Sequence, residues 1–318
     1  MHHAHVPDPR PSAAGLHEVV DGVFAWIQPD GSWWINNAGA ITSDEGTVVI
    51  DTCATQERTL RFLEALATAT AGAPVRFAAN THEHGDHTYG NCLLPRETAL
   101  IGHENMRARL AIDPLIDGCP PIWAPVPQWG NVTRRVPNLT IRSDMTIFIG
   151  SRRVELLHPG YVAHTTGDLV AWLPEERVLF SGDLVFHGLT PLAVAGSVTG
   201  ALRSLDWLAG FEPEYLVPGH GPLVRAADLG GVLAAHERYY RFILEIAEGG
   251  RRDGLTPLEA ARRTDLGPFA EWADSERYVL NLHRAYADAG SEFDLFAAFG
   301  DAVAWNGGPL TTHVCCAA

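Results

Sequence analysis

The segment Thr81-His82-Glu83-His84-Gly85-Asp86-His87 gathers three imidazoles and an aspartate carboxylate into one short stretch of chain. Imidazole nitrogen and carboxylate oxygen are donors suited to zinc and its neighbours among the divalent metals. His82 and His84 are two residues apart, so on an extended segment both rings point the same way. Asp86 and His87 then bend round to face a second ion. A lone pair of histidines in a polar loop would be incidental. Here matching donors recur downstream at His164, Asp183 and His220, and a metal site is the expectation.

The downstream residues each end a strand-like run or open a loop, where an α/β scaffold carries its chemistry. His164 opens His164-Thr165-Thr166-Gly167-Asp168, Asp183 closes Val178-Leu179-Phe180-Ser181-Gly182-Asp183, and His220 sits in Pro218-Gly219-His220-Gly221. In this order the blocks HxHxDH, HTxGD, SGD and PGHG resemble the metallo-β-lactamase superfamily, from about Val19 to about Pro222. The resemblance implies that His82, His84 and His164 hold one metal and that Asp86, His87 and His220 hold the other, with Asp183 bridging. An aspartate at the bridging position is similar to the glyoxalase II thioesterases and the lactonases. The zinc β-lactamases usually carry a cysteine or a non-ligand serine there.

What the resemblance implies for chemistry is a hydrolase with two Zn2+ ions, although iron or manganese suits the same donors. A water on such a pair loses a proton near neutral pH and the cations polarise a carbonyl, so no serine or cysteine nucleophile is needed. Asp86 and Asp183 are the expected catalytic residues, Asp86 by orienting the attacking water. The expected substrate is an activated acyl compound, a thioester, lactone or related ester or amide, including a polyketide-type intermediate. Two alternatives stay open. One is an iron-dependent redox enzyme of the same fold, a sulfur dioxygenase or a diiron type, and the other is a β-lactam hydrolase. The diiron reductases typically carry glutamate where His84 stands.

The elements that must position these residues read as α/β. Val19 to Trp26 and Ala38 to Ile50 have strand character, joined by Pro29-Asp30-Gly31-Ser32, with a further turn at Asp44-Glu45-Gly46. From Gln56 to Ala69 the residues Leu60, Phe62, Leu63, Leu66 and Ala67 recur at helical spacing, after which Val75 to Ala79 runs as a buried strand into the histidine segment. Hairpins at Ile147 to Leu157 and Leu169 to Phe180, a helix at Leu202 to Ala209 and a strand at Tyr215 to Val217 repeat that order. Two such halves face to face predict a four-layer αββα metallo-β-lactamase-type sandwich with a C-terminal helical extension. The division expected is 1–15 as a loose leader, 16–225 as the metallo-β-lactamase-type domain and 226–318 as the extension packed on it. Within the extension, helices are expected over Ala226 to Glu248, after the capping box Thr256-Pro257-Leu258-Glu259, and over Ser275 to Ala289 and Glu292 to Ala304. These helices also offer a surface for a homodimer.

Composition narrows the partners. With 46% hydrophobic and 19% charged residues the 318-residue chain reads as a soluble globule. Its 23 basic and 38 acidic residues, a formal net charge of −15, disfavour a nucleic-acid partner. No window approaches the roughly 18 apolar residues of a membrane span. The leader holds His2, His3 and His5 without an apolar core for a signal peptide, and five cysteines with no CxxC pair suit a reducing compartment, so a cytoplasmic location is expected. Adjacent Cys315 and Cys316 have no assigned role.

Aromatic residues are the best guide to what binds. Trp33 and Trp34 fall at the first hairpin's tip, expected as an exposed flap over the metals, and Trp123 and Trp129 lie in the proline-stiffened loop Pro120 to Gly130. His187, four residues past Asp183, is a further candidate contact. A small-molecule acyl substrate with an apolar or aromatic part is the expected partner. Asp51 is read either as a hydrogen-bond partner of a ligand histidine or as a helix cap.

Overall fold

A computed structural model describes residues 14–314; the leader histidines and the Cys315-Cys316 pair lie outside the described residues. Gly15–Val20 (β1) and Val23–Ile27 (β2) form an antiparallel hairpin, where a single strand over Val19 to Trp26 was expected. The difference is the two-residue turn Asp21-Gly22. Gly22 takes φ 68°, a left-handed conformation open to glycine, and apolar residues on both sides mask the reversal. Ala38–Ser43 (β3) and Gly46–Ile50 (β4) make the next hairpin, Gln56–Ala69 (α1) crosses over, and Val75–Ala79 (β5) pairs parallel with β4. Thr55 caps α1 by accepting from the Arg58 amide, so the cap is not Asp51.

The short helix Gly85–Thr88 (α2) carries Asp86 and His87. Ala99–His103 (β6), Glu104–Leu110 (α3), the two-residue Trp123–Ala124 (β7) and Leu139–Ile141 (β8) follow, and the first sheet runs β1-β2-β3-β4-β5-β6-β8. Asp144–Ile149 (β9), Arg152–Leu157 (β10), Val170–Leu173 (β11), Val178–Phe186 (β12), Val198–Ala209 (α4), Tyr215–His220 (β13) and Val224–Arg225 (β14) build the second half. Its sheet order is β14-β13-β12-β11-β10-β9.

Strand alternation sorts side chains into layers. In β2, Val23, Ala25 and Ile27 pack with Val154, Leu156 and Phe180 between the two sheets, while Phe24 and Trp26 face Phe62 and Leu66 of α1. In β12, Val178 and Phe180 point to the inter-sheet core, and Leu179 joins the cluster holding Leu205 and Leu208 of α4. Helix, sheet, sheet and helix therefore stack as four layers.

Beyond the sandwich come Ala226–Arg252 (α5), Pro257–Arg263 (α6), Arg277–Asp288 (α7), Leu295–Asn306 (α8) and Leu310–Thr311 (β15). The Thr256/Glu259 capping box opens α6. Tyr239, Tyr240 and Ile243 of α5 and Val279, Leu280 and Leu282 of α7 share one buried cluster with α4 and with Trp33, Trp34 and Trp123. β15 pairs parallel with β7, joining the end of the described chain to the proline-rich loop. Among the described residues no helix is long and apolar enough to cross a membrane.

Candidate metal centre

Strand ends deliver the donors. β5 runs into the segment carrying His82 and His84, the loop before β11 carries His164, Asp183 lies within β12, and His220 ends β13. Parallel pairing of β12 with β13, Gly182 opposite Pro218 and Phe186 opposite His220, sets Asp183 beside His220. His82, His84, His164 and Asp183 form one group and Asp86, His87 and His220 another, the donor atoms within 4.8 Å of one another in each. All seven expected ligands thus meet at one edge of the sandwich.

Their hydrogen bonds fix which nitrogen faces inward. His164 Nδ1 donates to the Leu192 carbonyl (2.6 Å) and His220 Nδ1 to the Gly31 carbonyl (2.7 Å), because a carbonyl only accepts. Thr81 Oγ1 donates to Asp51 and accepts from His82 Nδ1 (3.0 Å). The bare Nε2 atoms of His82 and His164 each lie 3.0 Å from His84 Nδ1, which has at most one proton to offer. Ligand nitrogens around a tetrahedral zinc stand about 3.3 Å apart. Asp183 Oδ1 is 3.1 Å from His87 Nε2, while Oδ2 is 3.4 Å from both His164 Nε2 and His220 Nε2.

The buried His87 Nε2 and Asp183 Oδ1 have no hydrogen-bond partner. Imidazole and carboxylate donors converging in a buried space fit a divalent metal site, which His82, His84, His164, Asp183, Asp86, His87 and His220 would hold. Burial drives the His164 imidazole down to about 3 and so favours its neutral form. For His220 burial acts in the same sense, but the Asp183 and Asp86 carboxylates override it and hold the ring at about 9, the response of a base facing anions.

Asp51 supports the site from behind. Held at φ 59°, it accepts from the Thr81 amide (2.7 Å), Thr81 Oγ1 (2.7 Å) and His87 Nδ1 (2.8 Å), which settles its two readings in favour of the histidine contact. Asp51→Asn replaces one acceptor oxygen by a donor and forces one of these bonds to break. We expect metal affinity to fall by about 10- to 100-fold, read by competition against a chelator, with the fold retained in circular dichroism.

A cavity of about 320 Å3 opens on the donors. His84, Asp86, Asp183 and His220 form its polar end; Trp33, Trp34, Trp123, Phe186, Leu192 and Phe299 supply apolar walls. Trp33 and Trp34 differ from the exposed flap expected: they are 6% and 8% exposed. Trp33 Nε1 donates to Glu276 (2.6 Å) just before α7, and Trp34 packs edge-on to Trp123 (5.1 Å). Trp129 is not among the lining residues. It buttresses Trp34 at 4.8 Å and donates Nε1 to the Leu115 carbonyl. His187 also lies outside the lining, and its Nδ1 donates to the Pro222 carbonyl (2.9 Å).

Sequence reasoning missed Tyr89, Arg277 and Phe299. Tyr89, two residues past His87, was findable by its place in the motif, and its hydroxyl donates to Asp113 (2.7 Å). The other two sit on helices without a motif. Burial first, then Asp274, raises Glu276 to about 7. Because its folded value exceeds the unfolded one, its contribution lowers stability progressively as pH rises from about 4.5 to about 7. Glu276→Gln keeps an acceptor for Trp33 and removes the charge. The variant is expected to melt higher than the parent at pH 8 and to match it near pH 4; equal melting temperatures at both would contradict the assignment.

The family model described as the metallo-beta-lactamase superfamily matches residues 31–220. Over 213 residues the chain is 26% identical to the 2,4-dinitroanisole O-demethylase subunit alpha of Nocardioides sp. (strain JS1661), covering 66% of this chain. The chain spans only 56% of the length of that relative. Among solved structures, a metallo-beta-lactamase from Pontibacter korlensis is 19% identical, with a TM-score of 0.58 over 72% of this chain and 99% of that one. The stereoselective inverting sec-alkylsulfatase Pisa1 from Pseudomonas sp. is 18% identical, with a TM-score of 0.67 over 90% of this chain and 51% of that one. Those likenesses carry the fold, and the family match covers more than half of the residues: the chain belongs to the metallo-beta-lactamase superfamily.

Proposed function

We propose that the protein is a dinuclear metal-dependent hydrolase of activated acyl compounds, thioesters or lactones, whose acyl group is apolar or aromatic. The observation that carries this reading is Asp183, whose two oxygens face histidines of both donor groups at the floor of an aromatic cavity. A divalent pair held there supplies an activated water and a Lewis acid for the carbonyl. The chain's own residues do the rest. Asp86, its Oδ2 3.2 Å from His220 Nε2, accepts a hydrogen bond that orients the attacking water; burial pushes its carboxyl up, but the nearby His87 and His220 override that and hold it at about 2. Trp33, Trp34 and Phe299 exclude bulk water and seat the acyl group.

Elemental analysis of protein purified without added metal, with a turnover screen over thioesters, lactones and a chromogenic β-lactam, tests the proposal. About two zinc ions per chain with thioester or lactone turnover supports it. Iron with oxygen consumption would move the protein to the redox class. A second reading has one specific support: the 26% identical relative is named for demethylation of 2,4-dinitroanisole, an aromatic ether, and the flat cavity walls suit such a ring. That compound therefore belongs in the screen. Phe299→Ala, which trims a wall far in sequence from the metal donors, is expected to raise KM about tenfold with metal content unchanged.

A further inference from the structure

Arg277 is 1% exposed and still lines the cavity. Its guanidinium stacks on the Trp33 ring at 4.4 Å and lies 5.4 Å from the Phe186 ring centroid. Nη1 donates to the Thr190 carbonyl (3.0 Å) and Nη2 pairs with Asp274 (2.7 Å), but Nε is buried without a hydrogen-bond partner. A charged donor left unsatisfied in a buried setting costs about 1–3 kcal/mol or more, which a ligand acceptor recovers. The ion pair with Asp274 already offsets the positive charge, and Glu83, Asp86, Asp113 and Asp183 line the same space. Both facts favour a neutral acceptor over a carboxylate.

Position gives the spacing. Phe186 stacks on the His220 imidazole with ring centroids 5.1 Å apart and planes 9° from parallel, so one phenyl ring separates Arg277 from a candidate metal ligand. We propose that Arg277 is a specificity-determining residue, hydrogen-bonding a second, neutral oxygen of the substrate, a ketone or phenol, about one ring's width from the scissile carbonyl. This rests on the hydrolase reading for its substrate class. The preferred substrates are then oxygenated, ring-bearing or ring-sized acyl groups, and their deoxy analogues are rejected because binding them leaves the arginine unpaired.

Binding is tested on the full chain as purified, by calorimetry with two amides that resist hydrolysis, para-acetylphenylacetamide and para-ethylphenylacetamide. The ketone is expected to bind about thirtyfold more tightly. Arg277→Met combined with Asp274→Asn, which removes the ion pair without stranding a charge, should cut that ratio below about threefold, chiefly by weakening the ketone. Arg277→Lys, a milder change should the double variant not fold, should also shrink the ratio, since an ammonium does not reproduce the planar fork. Arg109→Ala, at the other arginine lining the cavity, should preserve it. Equal or absent binding of both amides by the parent protein, a ratio that survives loss of Arg277, or one that vanishes with Arg109, would each overturn the assignment. The matching thioesters are assayed alongside: a ketone preference in binding without thioester turnover sinks the hydrolase reading and leaves the Arg277 site standing.

Discussion

Asp183→Ala is expected to strip bound metal and to lower kcat/KM for every acyl substrate by at least about a thousandfold. The carboxylate is 5% exposed and faces three imidazoles within 3.4 Å, so its removal leaves both donor groups without the one anion they share. Alanine also takes away a negative charge from beside His82, whose Nε2 lies 3.7 Å from Oδ2. Metal content by elemental analysis and turnover should fall together while the melting transition stays cooperative. Two metals per chain with undiminished turnover would remove Asp183 from the centre.

Gly219→Ala should also weaken the site, for a steric reason. A methyl group there would stand 1.9 Å from Asp183 Oδ1 and 2.8 Å from the Gly182 carbonyl carbon. Neither side can yield easily. The Asn37 amide donates to the Gly219 carbonyl (2.7 Å), and Asn37 Nδ2 donates to the carbonyls of Pro218 (2.9 Å) and Gly221 (2.8 Å). The variant is expected to lose about 2 kcal/mol of stability by denaturant melting and at least about tenfold in metal affinity by chelator competition. Parental values in both measurements would show that the strand shifts freely.

The donors were legible because their chemistry is local. His82, His84, Asp86 and His87 sit in one short segment, and His164, Asp183 and His220 each follow a strand-like run, so spacing and strand ends announced the site. The helix Gln56–Ala69 was equally plain from its apolar period. The hairpin turn at Asp21-Gly22 was not, since Val19, Val20 and Val23 read as one apolar strand until pairing partners are known. The cavity was legible only in part. Trp33 and Trp34 look exposed in a Gly- and Pro-containing turn; Trp33 packs on Glu276, Arg277 and Phe299, more than 240 residues downstream, and Trp34 on Tyr89, Trp123 and Trp129. No local pattern encodes a contact at that separation, and the same holds for His187, whose ring turns toward Pro222.

The parallel ladder between Leu310–Thr311 and Trp123–Ala124 ties the cavity wall to the end of the described chain, while every candidate metal donor lies before residue 221. The donor set is thus encoded entirely within the sandwich. The cavity wall also needs α7, α8 and the strand at residue 310 docked against Trp33 and Trp123. A chain that stops before α7 would hold every candidate donor and lack Arg277 and Phe299 of the cavity wall. On the proposed hydrolase reading, substitutions in α7 and α8 alter the cavity wall at Arg277, Leu295 and Phe299 while leaving all seven candidate donors in place.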